Sequence, residues 1–177
     1  RAIQDAKAMV RYMRMTEDNG NPYGIDPNKI VLGGQGTGAS ISLGYATLDD
    51  ESKLYLPKFI DQSNPQIPIP YVVPVYMGNF DGTDMTYAPI LDSNGIPMVD
   101  TSSGVVIPLV DSSSPLNIPN NPTYSNDINL AFNMGGALAD ISWLEAGDIP
   151  IVSFHCEKDE YAPIDTGDVI VPTTGDF

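Results

Sequence analysis

The stretch Lys29-Ile30-Val31-Leu32-Gly33-Gly34-Gln35-Gly36-Thr37-Gly38-Ala39 decides the fold of this chain. Its first half is a short apolar run typical of a buried strand, and its second half is a glycine-rich turn. An apolar periodic segment follows from about Thr37 to Leu48 and predicts a helix. The stretch therefore predicts a strand, a tight turn and a helix, the repeating unit of an α/β fold.

Three other segments complete this predicted core. Residues 1–14 space Ile3, Ala6, Val10 and Met13 for one buried helical stripe, and residues 128–134 and 149–155 are apolar runs typical of strands. Runs that are apolar at nearly every position are typical of parallel sheets. We therefore expect residues 29–33 and 150–155 to be parallel strands, with 128–133 between or beside them.

The middle of the chain differs from both ends. Prolines recur throughout residues 52–126 and forbid long helices there. Short β-prone runs at 71–73, 75–77 and 105–107 predict small strands, and turns are predicted at 79–82 and at 93–95. The sequence thus predicts a core region at 1–51, an irregular insertion at 52–126 that covers the sheet's edge or top, and a second core region at 127–177.

Composition excludes several classes of function. The chain has 177 residues and a formal net charge of −15, with only 8 basic residues. Such a surface repels phosphate backbones, so we expect no nucleic-acid partner. No apolar run is long enough to span a bilayer. Asp49, Asp50 and Glu51 lack the spacing of a metal loop and are interpreted as a solvated cap, so no metal and no cofactor are predicted.

The order of these motifs resembles the α/β-hydrolase fold of carboxylesterases and lipases. The frame Gly34-Gln35-Gly36-Thr37-Gly38 is similar to the Gly-x-Ser-x-Gly nucleophile elbow of that family, and residues 155–163 are similar to its triad-acid segment, His-Gly-x-x-Asp-x-x-Val-Pro. His155, Asp159 and Pro163 match that segment. The resemblance covers about 100 residues. It implies a partial hydrolase-like parallel sheet with helices on both faces and the irregular insertion.

The resemblance assigns three positions. Gly36 takes the place of the nucleophilic serine, the N–H of Thr37 takes the place of one oxyanion-hole donor, and Asp159 takes the place of the triad acid. No histidine follows His155, whose own position is structural in the family. Glycine has no side chain that can attack an ester. The resemblance thus implies a hydrolase scaffold without its nucleophile or its catalytic histidine.

Other residues offer no substitute in the sequence. Thr37 is one position along from the nucleophile, and Ser40 and Ser42 lie on the following helix. Cys156, the single cysteine, is expected to be a small buried residue rather than a nucleophile, because no base accompanies it in the motif. Asp159 itself has a second interpretation, a loop carboxylate that caps the N–H groups of residues 161 and 162.

Three functions remain open at this point. The first is a non-catalytic, pseudo-esterase protein with a binding or structural role. The second is an active carboxylic ester hydrolase that uses a non-standard nucleophile or missing segments. The third is a nucleotide-binding domain that uses 33–40, although Ala39 stands where a phosphate loop needs lysine and no ribose-binding acid follows at the required distance.

Partner and location are predicted from composition alone. The acidic chain, rich in Asp, Asn, Pro and Ser, is typical of secreted or cell-surface proteins. The chain starts directly in a helix, which predicts a fragment or processed product. A protein partner, with the rest of its own precursor as one candidate, would bind the insertion, where Tyr71, Tyr76, Phe80 and Tyr87 are expected to form an exposed apolar patch.

Overall fold

A computed structural model describes residues 1–63, 69–102 and 107–170 of the chain. In chain order, the helices and strands are α1 (Ala2–Asp18), β1 (Val31–Gln35), α2 (Thr37–Thr47), β2 (Ile60–Asp61), β3 (Ile69–Pro70), α3 (Pro74–Met77), β4 (Thr86–Pro89), β5 (Val99–Asp100), β6 (Ile107–Pro108), β7 (Val110–Asn117), β8 (Leu130–Met134) and β9 (Ile151–Phe154). Short 3₁₀ helices occur at Glu51–Leu54, Pro57–Phe59 and Ile141–Trp143.

The core is a parallel sheet of three strands in the order β1-β8-β9. Val31 to Gln35 pair with Leu130 to Met134, and Ala131 to Met134 pair with Ile151 to Phe154. The predicted parallel arrangement is confirmed, and of the two positions left open for 128–133, between or beside the other strands, the structure has the first. The α/β class is confirmed to this extent.

The helices lie on one face of this sheet. α2 packs against β1 and β8, and α1 packs against α2. The core between them contains Val10, Tyr45, Ile128 and Ala131. The expected stripe on α1 is confirmed in part, since Val10 is buried while Ile3, Ala6 and Met13 are half-buried.

The other face of the sheet is open in the described part of the chain. Alternate residues of a strand point to opposite faces, and Val31, Met134, Val152 and Phe154 are all exposed on this side. The prediction of helices on both faces is therefore not met by the described residues. The physical reason is that α1 packs beside α2, with Val10 in the same core as Ala131 of β8, instead of crossing to the opposite side of the sheet.

The insertion contains four small antiparallel pairings instead of one sheet. β2 pairs with β3, β4 with β7 and β5 with β6, and an isolated bridge joins Leu91 and Pro97. The predicted hairpin turn at 93–95 is confirmed, since the Asp92 N–H donates to the Ile96 carbonyl across it. The turn at 79–82 is confirmed by a hydrogen bond from the Gly82 N–H to the Asn79 carbonyl.

Two predicted strands of the insertion are wrong. Residues 75–77 belong to α3, because Pro74 pre-sets the first helical turn and Gly78, with φ of 72°, ends it. Residues 71–73 form a bend after β3. In the third run only Ile107 is in a strand, and residues 105 and 106 lie outside the described ranges.

The predicted aromatic patch on the insertion is also wrong. Tyr71 is 66% exposed, but Tyr76, Phe80 and Tyr87 are half-buried. Phe80 and Tyr71 face a cavity against α1 instead of forming a flat exposed surface.

A row of polar side chains on α1 holds the insertion in place. Gln4, Lys7 and Arg11 project from one side of the helix at spacings of three and four residues. The Gln4 amide donates to the carbonyls of Met77 and Asn79, and Lys7 pairs with Asp81 at 2.8 Å. The insertion is therefore an integral part of the packing. None of the helices in the described ranges has the length and apolar character needed to span a bilayer.

A salt bridge ties the insertion to the loop before β9. Lys58 lies 2.7 Å from Asp140, whose carboxylate also accepts hydrogen bonds from the Ser142 N–H and hydroxyl. The hydrogen bond from Lys58, followed by those from Ser142, lowers the pKa of Asp140 to about 2. Because the folded pKa lies below the ordinary value of 3.8, this stabilisation is present above about pH 4 and is lost as the pH falls towards 2.

We expect Lys58→Met to raise the pKa of Asp140 towards 3.8, because the hydrogen bond from Lys58 is the largest cause of the lowered pKa. Carboxyl NMR titration measures this directly. Lys29→Met is the matched control, since Lys29 pairs with Asp26 elsewhere and should leave Asp140 unchanged. An Asp140 that titrates at its ordinary value in the unmodified protein would contradict the salt bridge.

Candidate functional site

Gly36 occupies the tip of the turn between β1 and α2. Its φ is 55° and its ψ is −121°, a sparsely populated combination for residues with a side chain. Its N–H donates to the Met134 carbonyl of the neighbouring strand at 3.0 Å. The positive φ predicted for the elbow is confirmed. A Cβ added at Gly36 would have no atom within 4 Å, so the turn leaves an open space where a nucleophile would stand.

The turn is tight because two other glycines let α2 approach the sheet. A Cβ on Gly34 would lie 2.2 Å from the Gly38 carbonyl carbon, and a Cβ on Gly136 would lie 2.4 Å from the Ser40 nitrogen. Both neighbours are backbone, which cannot move aside as a side chain can. Close packing thus explains the glycines at 34 and 136 without any ligand.

Thr37, to which the resemblance assigns an oxyanion-hole N–H, is the first residue of α2. Ala39 and Ser40 N–H groups turn back to the Gly36 carbonyl at 3.0 and 3.1 Å. Thr37 is exposed, and its N–H donates to no other residue within the described ranges. The first N–H groups of a helix carry partial positive charge. Thr37 therefore offers one N–H donor beside the open space at Gly36.

Asp159 lies at the same edge of the sheet as Gly36. Its Oδ2 would be 3.4 Å from a Cβ on Gly135. Gly135 directly follows Met134, whose carbonyl accepts the Gly36 N–H. The structure thus places Gly36 and Asp159, the positions that the resemblance compares with a nucleophile and a triad acid, near the carboxyl ends of the strands, where ligand sites of α/β sheets lie.

Backbone groups hold the Asp159 carboxylate. Its Oδ1 accepts from the N–H of Ala162 at 3.0 Å and from that of Tyr161 at 2.9 Å. These two hydrogen bonds, the Ala162 bond first, lower the pKa of Asp159. The cap interpretation of Asp159 is therefore confirmed as geometry, and the carboxylate is ionised at neutral pH.

His155 serves the same turn. Its Nε2 is 2.6 Å from the Ala162 carbonyl, and since a carbonyl only accepts, Nε2 carries the proton. The same nitrogen lies 3.7 Å from Asp159 Oδ2, and only 11% of the side chain is exposed. His155 thus fastens the 159–162 turn, and its Nε2 is not available as a base.

The remaining nucleophile candidates, Ser40, Ser42 and Cys156, differ in their contacts and exposure. Ser40 Oγ accepts from the Ala137 N–H at 3.1 Å, and Ser42 Oγ lies within 2.9 Å of the Ala39 and Phe132 carbonyls. Ser40 therefore holds α2 to the loop after β8, and Ser42 holds it to β8 itself. Cys156 is exposed, so the prediction that it is buried is wrong: it follows the end of β9, beyond the reach of the core.

Sequence reasoning missed Asn133, which shapes this edge. It is 4% exposed inside an apolar strand. Its Oδ1 accepts from the Gly136 N–H at 2.8 Å, and its Nδ2 donates to Ser153 Oγ at 3.1 Å. Asn133 thereby fixes the Gly135-Gly136 turn beside Asp159. An amide two residues before a Gly-Gly pair in an apolar run is the signal that indicates such a role.

Two cavities of the described residues lie away from this edge. The larger, of about 860 Å³, is open and reaches the end of α2 and the starts of β8 and β9 at Leu48, Ile128 and Ile149. The smaller, of about 280 Å³, lies between α1, the insertion and Trp143. Asp49 and Asp50 act locally beside the larger cavity: Asp49 pairs with Lys53, and Asp50 caps the following 3₁₀ helix.

No protein-family model, curated protein or solved structure matches the chain. The resemblance to α/β-hydrolases therefore rests on the residues quoted above.

Proposed function

We propose that this protein is a non-catalytic, α/β-hydrolase-like pseudo-esterase that acts by binding. The observation that supports this most is Gly36: the backbone adopts the strained geometry expected of a nucleophile elbow, yet the residue carries no attacking atom. Acyl transfer needs a nucleophile with a base beside it. A turn with positive φ and no side chain at its tip supports a binding role over an acyl-transfer role.

The histidine supports the same proposal. His155 is the only histidine of the chain, and its Nε2 is engaged with Ala162. Asp159 is satisfied by two backbone N–H groups. The carboxylate therefore has a structural role that does not require a catalytic partner. The glycines at 34 and 136 likewise have a packing role, which weakens the nucleotide-binding alternative.

We expect the protein to release no p-nitrophenol from p-nitrophenyl acetate above the buffer rate, with no burst. Gly36→Ser supplies a hydroxyl in open space but no base, so it too should show no burst and no labelling by a fluorophosphonate probe. Gly38→Ala is the control for a change in the same turn without a new hydroxyl.

A burst equal to the protein concentration from the unmodified chain would refute the proposal. Separate alanine substitutions of Thr37, Ser40 and Cys156 would then identify the attacking residue, since the one that abolishes the burst carries the acyl group. A burst only in Gly36→Ser would show instead that a base is present and that the serine alone was lost.

A further inference from the structure

The smaller cavity has an almost wholly apolar wall. It lies between the first turn of α1, residues 51–59, residues 71–80 and the loop that contains Trp143. The side chains that define it are Ile3, Leu54, Phe59, Val72, Met77 and Trp143. Its volume of about 280 Å³ is roughly twice that of an engineered 150 Å³ cavity that admits benzene.

Polar groups along the wall are already satisfied within the protein. The Gln4 amide donates to the Met77 and Asn79 carbonyls at 2.8 and 2.6 Å, and Arg1 donates to the Tyr76 carbonyl at 2.8 Å. The Trp143 indole N–H donates to the Lys53 carbonyl at 3.0 Å. A buried water needs two to four polar partners. The cavity therefore favours an apolar occupant over water.

The charged residues at the cavity favour neither an anionic nor a cationic ligand. Arg1 and Glu51 contribute one positive and one negative group to the lining. A carboxylate would meet Glu51 as well as Arg1, and an ammonium group would meet Arg1 as well as Glu51. The geometry therefore fits an uncharged molecule.

The cavity is separate from the elbow. It reaches Leu48, directly after the last residue of α2, whereas the elbow precedes the first. The 11 residues of α2 span about 16 Å at 1.5 Å per residue. The cavity is therefore not a substrate pocket for the degenerate nucleophile position.

We propose that this cavity binds an uncharged apolar small molecule of about ten carbon atoms. The inference rests on the proposed function only in assigning the protein a binding role. Burial of the ligand's apolar surface against Phe59, Val72 and Trp143 supplies the affinity. Val72 is a half-buried lining residue that the insertion contributes, so a larger side chain there would reduce the space for the ligand.

The chain has a single tryptophan, and it lines the cavity while only 6% exposed. We expect 10-bromodecan-1-ol, whose bromine quenches indole on contact, to quench Trp143 fluorescence saturably, and decan-1-ol to relieve that quenching. Val72→Phe fills the cavity and should weaken binding at least tenfold. Val152→Phe makes the same change on the open face of the sheet and should leave the affinity unchanged.

Three results would overturn the inference: no saturable quenching, equal affinity in Val72→Phe, or tenfold stronger competition by decanoate or decylammonium than by decan-1-ol. Circular dichroism verifies each fold, and Leu54→Phe replaces Val72→Phe if the latter fails to fold. Ester hydrolysis is measured on the same samples. Activity there refutes the pseudo-esterase proposal alone, and absent quenching refutes the cavity ligand alone.

Discussion

Gly34→Ala is expected to destabilise the protein by at least about 3 kcal/mol, at the upper end of overpacking effects. The new Cβ would lie 2.2 Å from the Gly38 carbonyl carbon, 2.4 Å from its oxygen and 2.7 Å from the Ala39 nitrogen. All three atoms are backbone of the first turn of α2. The helix would have to move away from β1, and its packing on β8 would be lost with it.

Gly38→Ala is the matched control. It is the same substitution four residues along, and its Cβ would meet nothing within 4 Å. Inside a helix alanine is favoured over glycine by about 1 kcal/mol, so this variant should be neutral or slightly stabilised. Urea unfolding followed by circular dichroism gives both values. Equal free energies of unfolding for the two variants would contradict the close approach of α2 to β1.

Arg11→Ala is expected to lower the free energy of unfolding by about 3–4 kcal/mol, because it removes a buried side chain together with three hydrogen bonds from a charged donor. Arg11 is fully buried. Its guanidinium donates to the carbonyls of Asp81 at 2.5 Å, Asn120 at 3.0 Å and Gly82 at 3.3 Å. Truncation leaves the buried Gly82 carbonyl and the part-buried carbonyls of Asp81 and Asn120 without this donor. The insertion then keeps only the Gln4 and Lys7 contacts among this row of α1 side chains.

Arg14→Ala is the control that separates the effect of burial on the free energy of unfolding from the effect of the number of hydrogen bonds. Arg14 lies three residues along the same helix and also donates to three carbonyls, those of Pro27, Ser125 and Asp127, but it is only half-buried. Water can replace it there, so we expect a loss of about 1 kcal/mol. The same urea unfolding measurement applies. Equal losses in the two variants would show that burial of Arg11 contributes nothing.

The glycine turn at 33–38 and the buried Arg11 differ in how far they could be predicted from the sequence. The turn at 33–38 follows from local chemistry, because an apolar run followed by glycines that permit positive φ has few other solutions. The parallel order of the three strands follows in the same way from their apolar composition. Asp159 caps N–H groups that are only two and three residues further along the chain. This contact could therefore also be predicted from the sequence.

Burial of Lys7 and Arg11 was not predictable in this way. The partners of Arg11 are backbone carbonyl groups 70 to 109 residues away, which every residue type carries. The partner of Lys7 is the Asp81 carboxylate, 74 residues away. Residues 75–77 were also not predictable in this way, because Pro74 and Gly78 make them helical despite their β-prone composition. The apolar cavity around Trp143 is a further case, because its walls come from four separated segments.

The sequence by itself determined the strand-turn-helix unit, the parallel sheet and the absence of a side chain at Gly36, because these depend on neighbours along the chain. Only the tertiary structure decided that α1 and α2 lie on one face of the sheet and that the His155 Nε2–H donates to the Ala162 carbonyl. It also decided that buried cationic side chains bind the insertion to α1. Those features depend on contacts between groups that are far apart in the sequence, and such contacts produce no periodic pattern of residues.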